Sequence, residues 1–202
     1  MGFEGKLERA KQMAAAFAIM GLLNMERVSI HAIGQPNDRP SMLPPGTGRS
    51  RMRAVLSYLE EIECGGDVPI ESAIQQMLKF HRGRGIAILL SDFLTLGDLS
   101  RSMNLLFSGG LETWGMQILS ETERNPLVEG DLRFVDCETQ ETLDITNVAE
   151  LLNLYHEHRE WQEAELDQQC RRRNGRFLSI SSQDSFNSLM FDTLNRKGWV
   201  SR

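Results

Sequence analysis

Apolar residues recur along this chain with two periods, one helical and one of strands, and the changes between them divide it into alternating elements. From Lys6 to Leu23 one stripe collects Leu7, Ala10, Ala14, Phe17, Ala18 and Leu22, with Glu8, Lys11 and Gln12 outside it, which predicts an amphipathic helix. Val28, Ile30, Ala32 and Ile33 then predict a strand ended by Gly34 and Pro36, with His31 on its polar face. Gln35 to Gly48, rich in Pro, Gly, Asn and Asp, reads as a loop or a short edge strand around Ser41-Met-Leu43. Met52, Val55, Leu56 and Leu59 place a helix over Ser50 to Glu63. Another starts near Pro69 and runs through Ile70, Ala73, Ile74, Met77 and Leu78.

The five residues Ile86 to Leu90 have no polar face, so the expectation there is a strand buried on both sides, as in parallel sheets covered by helices. Ligands of such sheets collect where the strand's carboxyl end stops, which points to Ser91 and Asp92. The alternative is that Asp92 merely caps the next turn. Further on, helical spacing covers Asp98 to Leu106, and Thr113 to Leu119 reads as a strand. Leu132 to Val135 and Thr142 to Ile145 flank a turn-like Asp136-Cys-Glu-Thr-Gln140 and predict a β-hairpin. Val148 to Asn174 is a long helical segment stopped by Gly175. Arg176 to Ile180 is a last strand, and a closing helix follows Ser181 to Asp184. The expected fold is therefore α/β, a wound and mainly parallel sheet of Rossmann-like kind with helices on both faces and a hairpin insertion near 131–145.

Composition narrows the classes. The 202 residues, 41% hydrophobic and 25% charged, suit one domain over 1–202. A net charge of −6 argues against nucleic acid or an anionic membrane as partner, and the basic run Arg171-Arg172-Arg173 sits where a helix end favours cations. Three widely spaced cysteines, Cys64, Cys137 and Cys170, suggest neither a disulfide framework nor a zinc site. No apolar run reaches membrane-span length and Met1 to Gly5 is not a cationic leader start, so a cytoplasmic location is expected. Gly46-Thr-Gly48 lacks the Lys-Ser/Thr of a phosphate loop, and Arg51 stands where a dinucleotide fingerprint has its third glycine. His156 and His158 are two apart and point to different helix faces, unlike a two-histidine metal site. The acids Asp131, Asp136, Glu138 and Asp144 lack calcium-loop spacing.

The order Lys6-Leu7, Arg9-Ala10, Arg27-Val28, Gly65-Gly66, Ser91-Asp92-Phe93, Glu123-x-x-Pro126 and Asp136-x-Glu138-Thr139 resembles the bacterial "domain of unknown function 58" family over essentially the whole chain. That resemblance implies a von Willebrand factor type A-like domain of the sort that accompanies MoxR-type AAA+ ATPases. It also implies a metal-ion-dependent adhesion site at the carboxyl edge of the sheet. The family's site has an Asp-x-Ser-x-Ser segment after its first strand, a threonine after a Gly-Gly pair, and an acid after the strand matching Ile86 to Leu90. Only the last is intact, as Asp92. Asp67 stands at the threonine position, and Met1-Gly2-Phe3 resembles the Met and Gly that usually follow the first segment. The implied metal site of Asp92 and Asp67 is thus incomplete. Mg2+ or Mn2+ is expected in a full-length form and weakly or not at all in this chain, because a hard ion needs several oxygen ligands.

The resemblance places the first central strand, absent here, between Val28 to Ile33 and Ile86 to Leu90, so the expectation is an N-terminally truncated domain whose neighbouring strands lack ladder partners. The functional expectation is a non-enzymatic protein–protein interaction module whose partner is a MoxR-type ATPase or its client. The competing reading is a hydrolase or nucleotide-binding protein using Asp92 with the Ser91 hydroxyl, although the chain has no Gly-x-Ser-x-Gly elbow or phosphate loop. A third is a structural remnant.

Overall fold

The computed structural model describes residues 5–33, 41–63, 70–94, 99–126, 132–135, 142–145 and 148–200. In chain order these form α1 (Lys6–Leu23), β1 (Val28–Ala32), β2 (Ser41–Gly46), α2 (Met52–Glu60), α3 (Ile70–Phe80), β3 (Gly85–Ser91) and α4 (Leu99–Ser108). They continue as β4 (Leu111–Leu119), α5 (Glu121–Arg124), β5 (Leu132–Val135), β6 (Thr142–Ile145), α6 (Val148–Arg171) and β7 (Phe177–Ser181). Two short helical pieces, α7 (Phe186–Ser188) and α8 (Leu194–Arg196), close the chain. Strands β3, β4 and β7 form a parallel sheet in that order, whereas β1 with β2 and β5 with β6 are separate antiparallel pairs. The protein is thus α/β, with a parallel three-stranded sheet and the expected hairpin.

Period-two alternation sorts the sheet's side chains into two cores. Trp114, Met116 and Ile118 of β4, with Leu178 and Ile180 of β7, meet Ala10 and Met13 of α1 and Leu189, Leu194 and Trp199 of the chain's end. On the other face, Phe93, Met103 of α4 and Leu166 and Cys170 of α6 pack together, beside a cluster of Ile74, Leu106 and Leu111. Helices therefore cover both faces. A third cluster, Ala18, Leu22, Val55 and Leu59, joins α1 and α2 and takes in Val28, Ile30 and Leu43 of the β1–β2 pair.

One expectation is corrected here. Ile86 to Leu90 is not buried on both sides: Ile86 is half exposed and the rest of β3 is partly covered, because among the described residues β3 pairs with β4 alone. The strand closed in is β4, where every residue but Glu112 is buried, since β3 and β7 flank its edges and core clusters cover its faces. β1 and β3 belong to different sheets, and no described strand joins them.

Local chemistry accounts for smaller departures. The closing helix is not regular, since Leu189–Thr193 is a π turn between α7 and α8. The arginine run at the end of α6 divides: Arg171 pairs with Asp167 at 2.7 Å on the surface, but Arg173 is buried. Its guanidinium donates to Asn104 Oδ1 at 2.6 Å and to the Ser100 carbonyl, stitching α6 to α4. Asn174 then turns left-handed (φ 57°), and the Gly175 N–H returns to the Cys170 carbonyl at 2.9 Å to end the helix. The Gly46 to Gly48 turn is occupied by its own chain, with the Arg51 guanidinium donating to the Pro44 carbonyl at 2.8 Å. Among the described residues no helix is long and apolar enough to cross a membrane.

Candidate functional site

Parallel strands end together, so β3, β4 and β7 deliver Ser91-Asp92, Leu119-Ser120 and Ser181-Ser182 to one edge. The first turn of α1 lies across that edge. Lys6, 4% exposed, hydrogen-bonds through Nζ to Asp92 Oδ2 at 3.2 Å and to Glu123 Oε1. One turn on, the Arg9 guanidinium donates to the Ser182 carbonyl at 3.1 Å and to the carbonyl of Asp184. A single helical turn so reaches all three strand ends.

Each carboxylate is held by backbone. Asp92 Oδ1 accepts the Leu94 N–H at 3.4 Å, and the Asp92 carbonyl accepts the Gln117 amide at 3.0 Å from below. Glu123 sits at the third position of α5, where its Oε2 accepts the Ser120 N–H at 2.8 Å while Ser120 Oγ accepts the Glu123 N–H at 3.1 Å, a reciprocal cap. The Tyr155 hydroxyl of α6 donates to the Glu123 carbonyl at 2.6 Å. Asp184 Oδ2 accepts the Ser181 N–H at 2.8 Å, and its other oxygen stands 4.0 Å from Arg124.

The turn after β3 carries strain. Phe93 has φ 55°, a left-handed conformation that a bulky residue adopts at a cost of about 1–3 kcal/mol. Its fully buried ring meets Phe177 edge-on at 6.3 Å, its N–H donates to Ser91 Oγ at 3.0 Å, and its carbonyl accepts the Gln162 amide at 2.8 Å. These contacts fix the direction in which Asp92 leaves the strand.

Electrostatics match the geometry. Burial pulls the Lys6 pKa down, but the Glu123 hydrogen bond and the charges of Asp92 and Glu123 outweigh it and hold the ammonium above the ordinary lysine value. Burial, with the Glu123 charge, raises the Tyr155 phenol. The Asp92 and Glu123 side chains remain 22% and 25% exposed.

Of the residues singled out in the sequence, Asp92 and Ser91 stand at this edge. Asp67, Cys64, Cys137, Asp131, Asp136 and Glu138 lie outside the described residues. Ser91 Oγ accepts the Phe93 N–H. The histidines are elsewhere: His31 in β1, His81 beyond α3 against the Gly83 carbonyl, and on α6 His156 edge-on to Tyr155 and His158 tilted against Trp161. Lys6, Arg9 and Glu123 were not singled out as site residues. All three stand in the residue order that carries the family resemblance, as Lys6-Leu7, Arg9-Ala10 and Glu123-x-x-Pro126, but that order gives them no role, and the Ser120-x-x-Glu123 capping pattern is a further signal for Glu123.

The donor set can be tested against a divalent ion. Asp92 and Glu123 are the described acids on Lys6, and both hydrogen-bond one ammonium rather than facing an open oxygen cage. Among the described residues no group of three metal-ligating side chains comes together. A hard ion wants about six oxygens, so the described residues do not fit one.

An α/β protein whose charged side chains gather at the carboxyl edge of a parallel sheet is the class that fold and site define. The chain belongs to the family described as Protein of unknown function DUF58, whose model matches residues 2–165. It is similar in fold to an aerotolerance-related membrane protein from Bacteroides fragilis NCTC 9343 solved with multiple mutations to serines. That match has 16% identity and a TM-score of 0.53, over 95% of this chain and 87% of the other. It is also similar to the conserved hypothetical protein BatB from Bacteroides thetaiotaomicron, with 13% identity and a TM-score of 0.50, over 96% of this chain and 89% of that one. At such identities the likeness concerns the fold alone. None of the curated proteins compared matches.

Proposed function

We propose that the chain is a non-enzymatic protein–protein interaction module of von Willebrand factor type A-like kind, whose partner is a MoxR-type AAA+ ATPase or its client. The observation that carries the reading is the pair of part-exposed carboxylates, Asp92 and Glu123, fixed by backbone at the edge where wound sheets take their ligands. Such a rigid charged rim suits recognition of a protein surface, in which fixed charges set register and rate of association. Use of the Ser91 hydroxyl as a nucleophile is less favoured, because its oxygen accepts the Phe93 N–H and no described histidine hydrogen-bonds to it. A divalent ion, Mg2+ or Mn2+, plays a weak part or none in this chain.

Biolayer interferometry of the purified chain against a MoxR-type ATPase from the same genome tests the reading. Saturable binding is expected, weakened about tenfold or more by Asp92→Asn or Glu123→Gln in variants that melt cooperatively. No binding, or variants that bind as the parent does, would count against it.

A further inference from the structure

Lys6 is an unusual tenant of its position. It is a cation in the first turn of a helix, where the macrodipole favours acids, and that helix begins at Gly5 with no side-chain cap. It is nonetheless buried, and its ammonium hydrogen-bonds two carboxylates delivered by different elements, Asp92 after β3 and Glu123 in α5. Two carboxylates within hydrogen-bond reach of one nitrogen repel each other unless a cation lies between them. Gln117 of β4, fully buried, gives its amide nitrogen to the Asp92 carbonyl, and its oxygen has no donor among the described residues. The place therefore has two charged oxygens for a cation, and a cation that the chain itself supplies.

We propose that Lys6 is the resident cation of this edge: tethered to α1, its ammonium holds Asp92 and Glu123 together without metal and shuts out divalent ions for as long as it is seated. A divalent ion that took both carboxylates would have to approach the ammonium within a few ångströms, or expel a buried, doubly hydrogen-bonded lysine, and each route opposes binding. Removing the ammonium while sparing the carboxylates takes away a cation that both of them hydrogen-bond. The inference goes beyond the interaction-module reading and does not depend on it, since it concerns what occupies the edge and not what docks there.

The experiment titrates Mn2+ into the full chain and follows the free-ion spin-resonance signal, with the partner ATPase absent. The parent should show no saturable binding up to millimolar ion. Lys6→Ala and Lys6→Met should bind tighter than the parent by at least about tenfold. The gain should vanish in the Lys6→Ala/Asp92→Asn double variant. Saturable binding by the parent that Asp92→Asn abolishes, or folded Lys6 variants that bind no tighter than the parent, would overturn the proposal. Should both Lys6 variants fail to fold, reductive methylation of the parent decides. Of the four lysines, Lys6, Lys11, Lys79 and Lys197, Lys6 should react slowest and at a rate indifferent to Mn2+. A Lys6 labelled as fast as Lys79, or exposed to label by added Mn2+, would refute a seated ammonium.

Discussion

Glu123 performs two tasks with its two oxygens, and substitutions can separate them. Oε2 accepts the Ser120 N–H that caps α5, and Oε1 takes the Lys6 ammonium. Glu123→Gln keeps an acceptor for the cap, because glutamine serves in a capping box as glutamate does, but it removes the charge that faces Lys6. The carboxylate is 25% exposed and Lys6 keeps Asp92, so the loss lies between a surface and a buried ion pair, at about 1 kcal/mol. Glu123→Ala loses the cap as well. Ser120 is 3% exposed, so its N–H is left with little water to replace the lost acceptor, which adds about 1–2 kcal/mol. For a chain of this length 1 kcal/mol moves the melting temperature by about 2–4 °C, so the Gln variant should melt about 3 °C lower and the Ala variant about 8 °C lower. Calorimetry at low and high salt supplies the check. Salt should shrink the cost of Gln, a charge effect, and leave the difference between Gln and Ala in place. Equal melting temperatures for the two variants would show that the cap contributes nothing, and a Gln cost untouched by salt would remove the ion pair from the account.

Gly175→Ala should be among the most damaging changes in the chain, because a Cβ there would sit 1.7 Å from the Thr113 carbonyl oxygen and push the start of β7 off β4. It should cost about 3 kcal/mol or more in urea denaturation, against about 1 kcal/mol for Gly83→Ala, where only a left-handed φ in open space is at stake. A Lys6 pKa raised in the folded state contributes stability that is fully present below the unfolded value of about 10.4 and is lost as pH climbs through the folded one. The raised Tyr155 phenol acts in the same direction, so melting temperature should fall above about pH 10 and fall less steeply in Lys6→Met. Parent and variant losing stability in parallel there would refute the assignment to Lys6. Along the outer side of β3, Ile86→Lys should lower self-association in sedimentation at little cost in stability, since Ile86 is half exposed on a strand paired on one side among the described residues. Unchanged association would show that this edge is not adhesive.

The periodicities were sufficient for most of the element order, because each amphipathic stripe had one face to bury: α1, α3, α4 and β7 lie within a few residues of the stretches that predict them, whereas the four-residue α5 is too short to show a period and the stretch of β2 reads as loop or edge strand. They could not rank strands by burial. Ile86 to Leu90 and Trp114 to Leu119 are both apolar runs, and only the sheet order, set by contacts distant in sequence, makes β4 the inner strand and β3 an outer one. The burial of Arg173 was hidden for a similar reason. Nothing in an arginine run distinguishes the member that meets Asn104, sixty-nine positions away, from its exposed neighbours. Asp92 was legible at the carboxyl end of an apolar run. Its partner Lys6 was not, because eighty-six positions separate them and a helix's first turn admits a lysine for many reasons.

What marks the edge as more than packing is that, among the described residues, several local rules are broken there together. Two cations, Lys6 and Arg9, occupy the helix end that prefers acids, at about 0.3–1 kcal/mol each against helix stability. Directly after Ser120 lies a four-residue helix held by its cap, and directly after Asp92 a buried phenylalanine in a left-handed conformation. Chains tolerate such conflicts between local preference and global fold where a site requires them and offset them elsewhere. Here the offset is visible in the same bonds: the Arg9 guanidinium takes the Ser182 carbonyl past β7, Gln117 and Gln162 take the carbonyls on either side of the Phe93 turn, and Tyr155 takes that of Glu123. Five elements thus hold two part-exposed carboxylates in one place. A surface meant only to end a sheet could have done so with uncharged turns and no buried lysine.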